Sequence, residues 1–265
     1  MILAILRPVW AYRGFILGSV RREFQLKYRN SMLGAVWAVL QPLSMILVYT
    51  VIFSQIMRAR VPGVDGSFGY SIYLFAGILS WGLFTEIATR SQNMFLENAN
   101  LMKKLSFPRL CLPVIVVSSA LLNFAIIFGL FILFLLLSSN FPGTVFLALL
   151  PLLVLLLAMA TGLGMVLGVL NVFFRDVGQL FGIVITFWFW MTPIVYPLSI
   201  LPEQIRPFMQ LNPLAALIAA VQGVLVQGHW PQWHTLLYPL LLTIGLCLLG
   251  LRLFRRHADD MVDEL

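Results

Sequence analysis

The sequence predicts an all-α integral membrane protein with six transmembrane helices, an N-terminal amphipathic interface helix and a re-entrant segment on the far side. Three observations carry this expectation. Of the 265 residues, 61% are hydrophobic and only 10% are charged, whereas a soluble domain carries about 25% charged residues. From Leu110 to Phe174 no side chain is charged. That run is too long for a soluble core helix, since roughly 20 apolar residues cross a bilayer. The basic residues lie between the apolar runs, where the positive-inside rule places them in any membrane protein. The net charge of +7 therefore reflects membrane topology, and nucleic acid is not an expected partner.

Residues 1–32 form the first region. Arg7 and Arg13 interrupt a weak apolar stretch, whereas a cleaved signal places its charges ahead of one, so no cleavage is expected. Between Pro8 and Asn30, Ile16, Val20, Phe24 and Tyr28 recur every four residues, and Gly18, Arg22, Gln25 and Arg29 share the opposite face. A helix with an apolar and a basic stripe lies in the membrane interface rather than across it.

Residues 33–265 form the membrane-spanning region, with spans expected at about 33–57, 68–89, 110–137, 145–172, 177–196 and 235–251. SSNFPGT turns the chain between the third and fourth, with Pro142-Gly143 as the breaker. FFRDV links the fourth to the fifth. Ala160, Gly164 and Gly168 line one face of the fourth span and permit close helix packing, which is expected within one subunit rather than at a dimer seam. Glu86 and Arg90 sit late in the second span. With a start near Tyr70, Glu86 lies roughly 24 Å along the axis, near the boundary of a ~30 Å core, where the pair meets at i, i+4 beside the headgroups. After the fifth span, Pro202, Pro207 and Pro213 break the chain into short pieces, and the apolar stretch Leu214–Val226 has the length of a re-entrant segment. The whole broken stretch covers about 200–226.

Charge counting orients these elements. Six crossings from a cytoplasmic N-terminus leave 14 basic residues inside and only Arg58, Arg60 and Arg206 outside. A full crossing by Leu214–Val226 would move Arg252, Arg255 and Arg256 outside and weaken the asymmetry. Both termini are therefore expected in the cytoplasm and the re-entrant segment at the periplasmic side.

No soluble catalytic apparatus is visible. The chain has no G-x-x-x-x-G-K-[ST] loop to cradle ATP phosphates. His229, His234 and His257 are scattered, and Cys111 and Cys247 have no metal-ligand spacing and read as small buried hydrophobes. No carboxylate sits at the middle of a span, where a proton-driven transporter needs one. Power is expected from outside this chain.

Three long motifs resemble those of the ABC export permeases for O-antigen, teichoic acid and capsule polysaccharides. RREFQLKYRNSMLGAVWAVLQPL, from Arg21 to Leu43, resembles that family's segment leading into the membrane, and ENANLMKKLSFPRLCLP resembles its cytoplasmic coupling loop. The third, FRDVGQLFGIVITFWFWMTPIVYPLSILPEQIRPFMQLNP, runs from Phe174 to Pro213. The resemblance implies a homodimer with two copies of a separate ATP-binding subunit, which would hold ATP and Mg, so this chain itself is expected to carry no cofactor and no catalytic or metal site. It implies a substrate on an undecaprenyl-pyrophosphate carrier, moved from cytoplasm to periplasm across the inner membrane, and short gating helices after Tyr196.

On that reading Arg21, Arg22, Lys27 and Arg29 are candidates for the lipid pyrophosphate, because arginine forks suit a concentrated phosphate charge. The bland alternative is attraction to anionic membrane lipid. Asn98, Leu101, Met102, Lys103, Lys104 and Phe107 are candidates for coupling to the ATP-binding subunit. Tyr49, Phe53, Phe187, Trp188 and Tyr196 are candidates to line an outer channel, by stacking on sugar C–H faces; interface anchoring explains Trp188 equally well. Pro202, Glu203, Arg206, Pro207, Asn212 and Pro213 are candidates for a periplasmic gate. A drug or small-lipid exporter and a membrane glycosyl- or acyltransferase remain the rival readings.

Overall fold

A helix that is apolar on every face has to be covered by lipid or by other helices, and the described chain is built from such helices. The computed structural model describes residues 10–29, 34–49, 51, 68–104, 109–198, 202–204, 206–258 and 260–264, and among them every regular element is helical. α1 (Arg13–Tyr28) precedes α2 (Trp37–Tyr49), which contains Pro42. α3 (Gly69–Glu97) is followed at once by the short α4 (Ala99–Lys104). α5 (Cys111–Leu137) and α6 (Leu149–Phe173, after a 3-10 turn from Gly143) are joined by the expected tight connection. There Ser139 and Gly143 take positive φ of 57° and 66°, the left-handed conformation that glycine adopts without steric cost. α7 (Asp176–Trp190), α8 (Arg206–Gln210), α9 (Pro213–Gln222) and its π-helical extension Gly223–Gln227 lead to α10 (Leu237–Arg256) and the short α11 (Asp260–Glu264).

Among the described residues, four helices are long and apolar enough to cross a membrane: Gly69–Glu97, Cys111–Leu137, Gly143–Phe173 and Trp233–Arg256. The chain is thus an all-α, multi-pass membrane protein. Two of the helices differ in length from the six spans expected from sequence. α3 does not stop near Thr89 but continues to Glu97, because the polar run after Thr89 marks departure from hydrocarbon rather than the end of helix. Its 29 residues span roughly 44 Å, well beyond a ~30 Å core. The fifth expected span ends as a helix at Trp190. Its 15 residues reach only about 22 Å, since Pro193 and Pro197 deny the backbone donors that a further turn would use. Of the first expected span, 37–49 is helical, and residues 50 and 52–67 lie outside those described.

α3 is the axis of the bundle. It packs on α5, α6, α7 and α9, and α10 packs against the far side of α6. Helices in lipid gain little from hydrophobic burial, so close approach and dispersion hold them together. Small residues of α6 provide that approach. A Cβ added to Gly164 would lie 2.4 Å from the Cβ of Ser91, and one on Gly168 would lie 2.7 Å from the Ser91 carbonyl oxygen. The small-residue face read from sequence is therefore packed inside one subunit. On the α10 side, a Cβ on Gly162 would sit 2.9 Å from the Cys247 nitrogen. Three hydroxyls inside the spans satisfy themselves on the preceding turn: Ser80 donates to the Ala76 carbonyl, Thr161 to Leu157 and Thr243 to Pro239, at 2.7–2.8 Å.

Gly164→Val is expected to force α3 and α6 apart and cost about 1–3 kcal/mol. Gly129→Ala, where an added Cβ meets nothing within 4 Å, serves as the control and is expected to be neutral or slightly stabilising. Thermal unfolding in detergent, read with membrane abundance, checks the pair; equal stability of the two variants would refute the seam.

Candidate functional site

The apolar stripe of α1 does not simply float on lipid. Ile16 and Val20, at 7% and 8% exposure, pack against Cys111 and Ile115 at the start of α5. This contact brings α1 beside α3, where Glu23 accepts from Arg90 Nη2 at 2.5 Å. Glu86, the i, i+4 neighbour expected to hold Arg90, is 3.9 Å away, so the stronger partner comes from α1. Glu86 instead accepts from Asn123 Nδ2 of α5 at 3.2 Å, and Asn123 Oδ1 accepts from Lys27 Nζ at 3.4 Å. The side chains of Arg90 and Glu23 are 34% and 40% exposed. At such exposure an ion pair contributes little to stability; its effect here is to hold α1 in place.

These groups line a cleft. A cavity of about 530 Å³ among α1, α3 and α5 is bordered by Glu23, Lys27, Glu86, Arg90 and Asn123. A second, of about 260 Å³, shares Lys27, Glu86 and Asn123 and continues along α2 past Gln41, Pro42, Phe75 and Phe124. The cleft thus passes from charged walls to apolar ones. Of the four basic residues proposed from sequence, Lys27 alone borders it. Arg21, Arg22 and Arg29 are exposed and border neither cavity. Sequence reasoning missed Glu23 and Asn123 and took Arg90 for an interface residue. The available signal was Asn123, a lone amide in an uncharged apolar run, since polar groups inside spans are costly to keep.

The residues expected to couple divide in the same way. Asn98 ends α3, donating its side-chain amide to the Met94 carbonyl at 2.8 Å. Met102, at 6% exposure, packs with Met94, Phe95, Val116, Phe254 and Met261 and fastens α4 to the bundle. Met261 of α11 is fully buried there, and Arg109 donates to the Ala258 carbonyl. Leu101 is half-buried and Lys103 exposed. The Lys104 side chain and Phe107 lie outside what is described.

At the other end of the bundle the chain leaves α7 through an irregular stretch that α3 clamps. Tyr70 donates to the Val195 carbonyl at 2.6 Å, and the Tyr73 hydroxyl reaches the carbonyls of Pro193 and Tyr196 at 3.0 and 3.1 Å. Asn212 is the junction. Its Oδ1 caps α9 by accepting from the Leu214 nitrogen at 3.1 Å and also accepts from Trp188 Nε1 at 2.9 Å. Its Nδ2 donates to Thr192 Oγ1 at 3.0 Å and to the Met191 carbonyl at 3.2 Å. Pro213 occupies the first position of α9, where a missing N–H costs nothing.

The Trp188 ring meets Trp81 and Phe84 edge-on, with centroids 6.3 and 5.5 Å away, and is half-buried against the core. Phe187, 67% exposed, points out of the bundle. Tyr196 donates to the Trp190 carbonyl at 2.6 Å. The Tyr49 side chain and Phe53 lie outside what is described. Pro202, Glu203, Arg206 and Pro207 are exposed. Among the described residues no cluster of His, Cys, Asp and Glu could hold a metal.

The long helix α3 clamps a broken helix end on one side of the bundle and holds the basic helix α1 on the other, and residues 16–226 match the ABC-2 type transporter family. The chain belongs to that family. Over 266 residues it is 28% identical to the O-antigen export system permease protein RfbA of Myxococcus xanthus, covering 99% of this chain and 100% of the relative. It is 29% identical to the protein of the same description from Klebsiella pneumoniae, over 89% and 88% of the two chains. The polysialic acid transport protein KpsM of Escherichia coli is 24% identical over 91% and 92%. The chain is an ABC-2 type membrane permease related to these proteins.

Asn212→Ala removes a helix cap, worth about 0.5–2 kcal/mol, and strands the Trp188 N–H. It is expected to destabilise the permease by more than Trp188→Phe, which removes one donor and keeps the ring. Thermal unfolding of both variants in detergent checks the ranking, and an unperturbed Asn212→Ala protein would contradict the junction.

Proposed function

We propose that this chain is the membrane subunit of an ATP-driven exporter that carries a lipid-linked polysaccharide of the O-antigen type from the cytoplasm to the periplasm. It acts as a homodimer with two copies of a separate ATP-binding subunit in the inner membrane, with both termini cytoplasmic. The observation that carries the reading is the cleft beside α1. It joins Lys27 and Arg90, which stand among Glu23, Glu86 and Glu97, to apolar walls along α2, so a lipid with a doubly charged pyrophosphate head would take the two cations in exchange for their carboxylate neighbours. The end-to-end similarity to O-antigen permeases supports the polymer class. A capsular polymer is the second reading, favoured by the similarity to the polysialic acid transporter.

In this mechanism Arg22, Arg29 and Arg21 gather the anionic head at the membrane surface, and Lys27 receives it at the mouth of the cleft. The pyrophosphate competes with Glu23 for Arg90, which loosens α1 from α3 as the substrate binds. Tyr49, Phe53 and Phe187 offer ring faces to the glycan, and the stretch from Pro202 to Pro213 closes the outer end between transport events. The α4 surface, through Leu101, Lys103 and Lys104, together with Phe107 further along the chain, receives the stroke of the ATP-binding subunit. Residues 1–32 serve as the interface region and 33–265 as the permease domain.

The test is surface polymer measured by immunoblot in cells lacking the parent gene and complemented with variants. Lys27→Ala is expected to lower export about tenfold, the value of a lost charge-assisted hydrogen bond. The double variant Arg22→Lys, Arg29→Lys keeps charge but loses the planar fork and is expected to fall as well. Parent-level export from both, at equal membrane abundance, would leave only lipid attraction and defeat the recognition role.

A further inference from the structure

A cavity of about 720 Å³ lies at the end of the bundle opposite α1, between the broken segment and the start of α10. It borders neither the cleft nor the Trp188–Asn212 junction. Its floor is one face of α9 and its extension, where Ala216, Ala219 and Gly223 leave a trough. A Cβ added at Gly223 meets nothing within 4 Å. Trp230 and Tyr238, 57% and 47% exposed, form the walls, the placement that amphipathic rings take at a membrane surface. Arg206, His229 and His234 stand among the lining residues, and among the described residues no Asp or Glu does.

We propose that this cavity binds an anionic phospholipid of the leaflet opposite α1. The two halves of the site match the two halves of such a lipid. A trough floored by alanines offers nothing to sugar hydroxyls, whose burial without partners is costly, but it accepts methylenes. From Ala215 to Gly223 the helix rises about 12 Å, length enough to hold the first part of an acyl chain along it. Two imidazoles beside the trough, with the Arg206 guanidinium near them, supply donors for a phosphodiester, and the described lining sets no carboxylate against the anion. A free phosphate would use the rim and leave the trough empty; an amphiphile uses both. The bound lipid touches α8 through Arg206, α9 along its floor and α10 through Tyr238, so it ties the broken segment to the last helix. The site needs no assumption about the exported cargo.

The test uses the permease with its ATP-binding partner, reconstituted in nanodiscs with phosphatidylethanolamine in excess over phosphatidylglycerol and read by native mass spectrometry after mild extraction. Retention of phosphatidylglycerol in preference to phosphatidylethanolamine is expected for the parent. Gly223→Leu fills the trough where the fold has room and is expected to lower that retention about tenfold, with unchanged thermal stability measured alongside. His229→Ala with His234→Ala keeps the trough and is expected to retain lipid while losing the preference for phosphatidylglycerol. Equal retention by Gly223→Leu and the parent would overturn the site, as would a parent without headgroup preference. Displacement of phosphatidylglycerol by added undecaprenyl phosphate would overturn the choice of lipid. Because the readout is retained lipid and not surface polymer, a failed export assay leaves this result standing, and the reverse also holds.

Discussion

The close approach of α3 and α6 decides the geometry of everything around it. In hydrocarbon, helices gain no water-driven attraction for one another, so their cohesion comes from dispersion, which fades over fractions of an ångström. Gly164 and Gly168 let the two backbones meet at Ser91. With α3 fixed there, its N-terminal half presents Tyr70 and Tyr73 to the end of α7, and its C-terminal half presents Glu86 and Arg90 to α1 and α5. The two candidate functional regions are thus opposite ends of one helix, and a shift of α3 against α6 would be felt at both.

A chain that leaves helix near the membrane has to find partners for its freed carbonyls. The stretch after Trp190 does so with side chains from elsewhere. Tyrosine hydroxyls of α3 take the carbonyls of Pro193, Val195 and Tyr196, and Asn212 satisfies Met191, Thr192, Trp188 and its own helix start. A segment held by such side-chain bonds has an alternative arrangement within reach, because each bond is replaceable by water or by a hydroxylated cargo. A segment held by the backbone ladder of a continuous helix does not.

The charged end follows a different logic. Arg90 lies between two carboxylates, and the nearer one belongs to α1. Half-exposed pairs of this kind contribute little stability, so Arg90 is free to exchange partners at small cost. That property distinguishes it from Met102 and Met261 one layer away, whose burial fastens α4 and α11 to the bundle. This end of the bundle thus combines a half-exposed ion pair between α1 and α3 with a firmly seated short helix.

Much of this was legible in the sequence. Composition and the uncharged run from Leu110 to Phe174 determined the solvent, and with it helix as the only workable element. Pro142-Gly143 determined the turn, the spacing of Gly164 and Gly168 determined a packing face, and the motif around Asn212 marked a broken segment. Periodicity assigns a residue to a face of its own helix but says nothing of which helix it meets. Arg90 therefore read as the partner of Glu86, four residues away, when Glu23, 67 positions distant, is closer. That Trp188 and Met102 pack against the core was not legible either, because an apolar side chain looks the same from sequence whether it faces lipid, cargo or core. Only the tertiary structure, by bringing α1, α3 and α5 together at one end and α3, α7 and α9 at the other, decided those partners, since the energy that selects them lies in contacts between segments far apart along the chain.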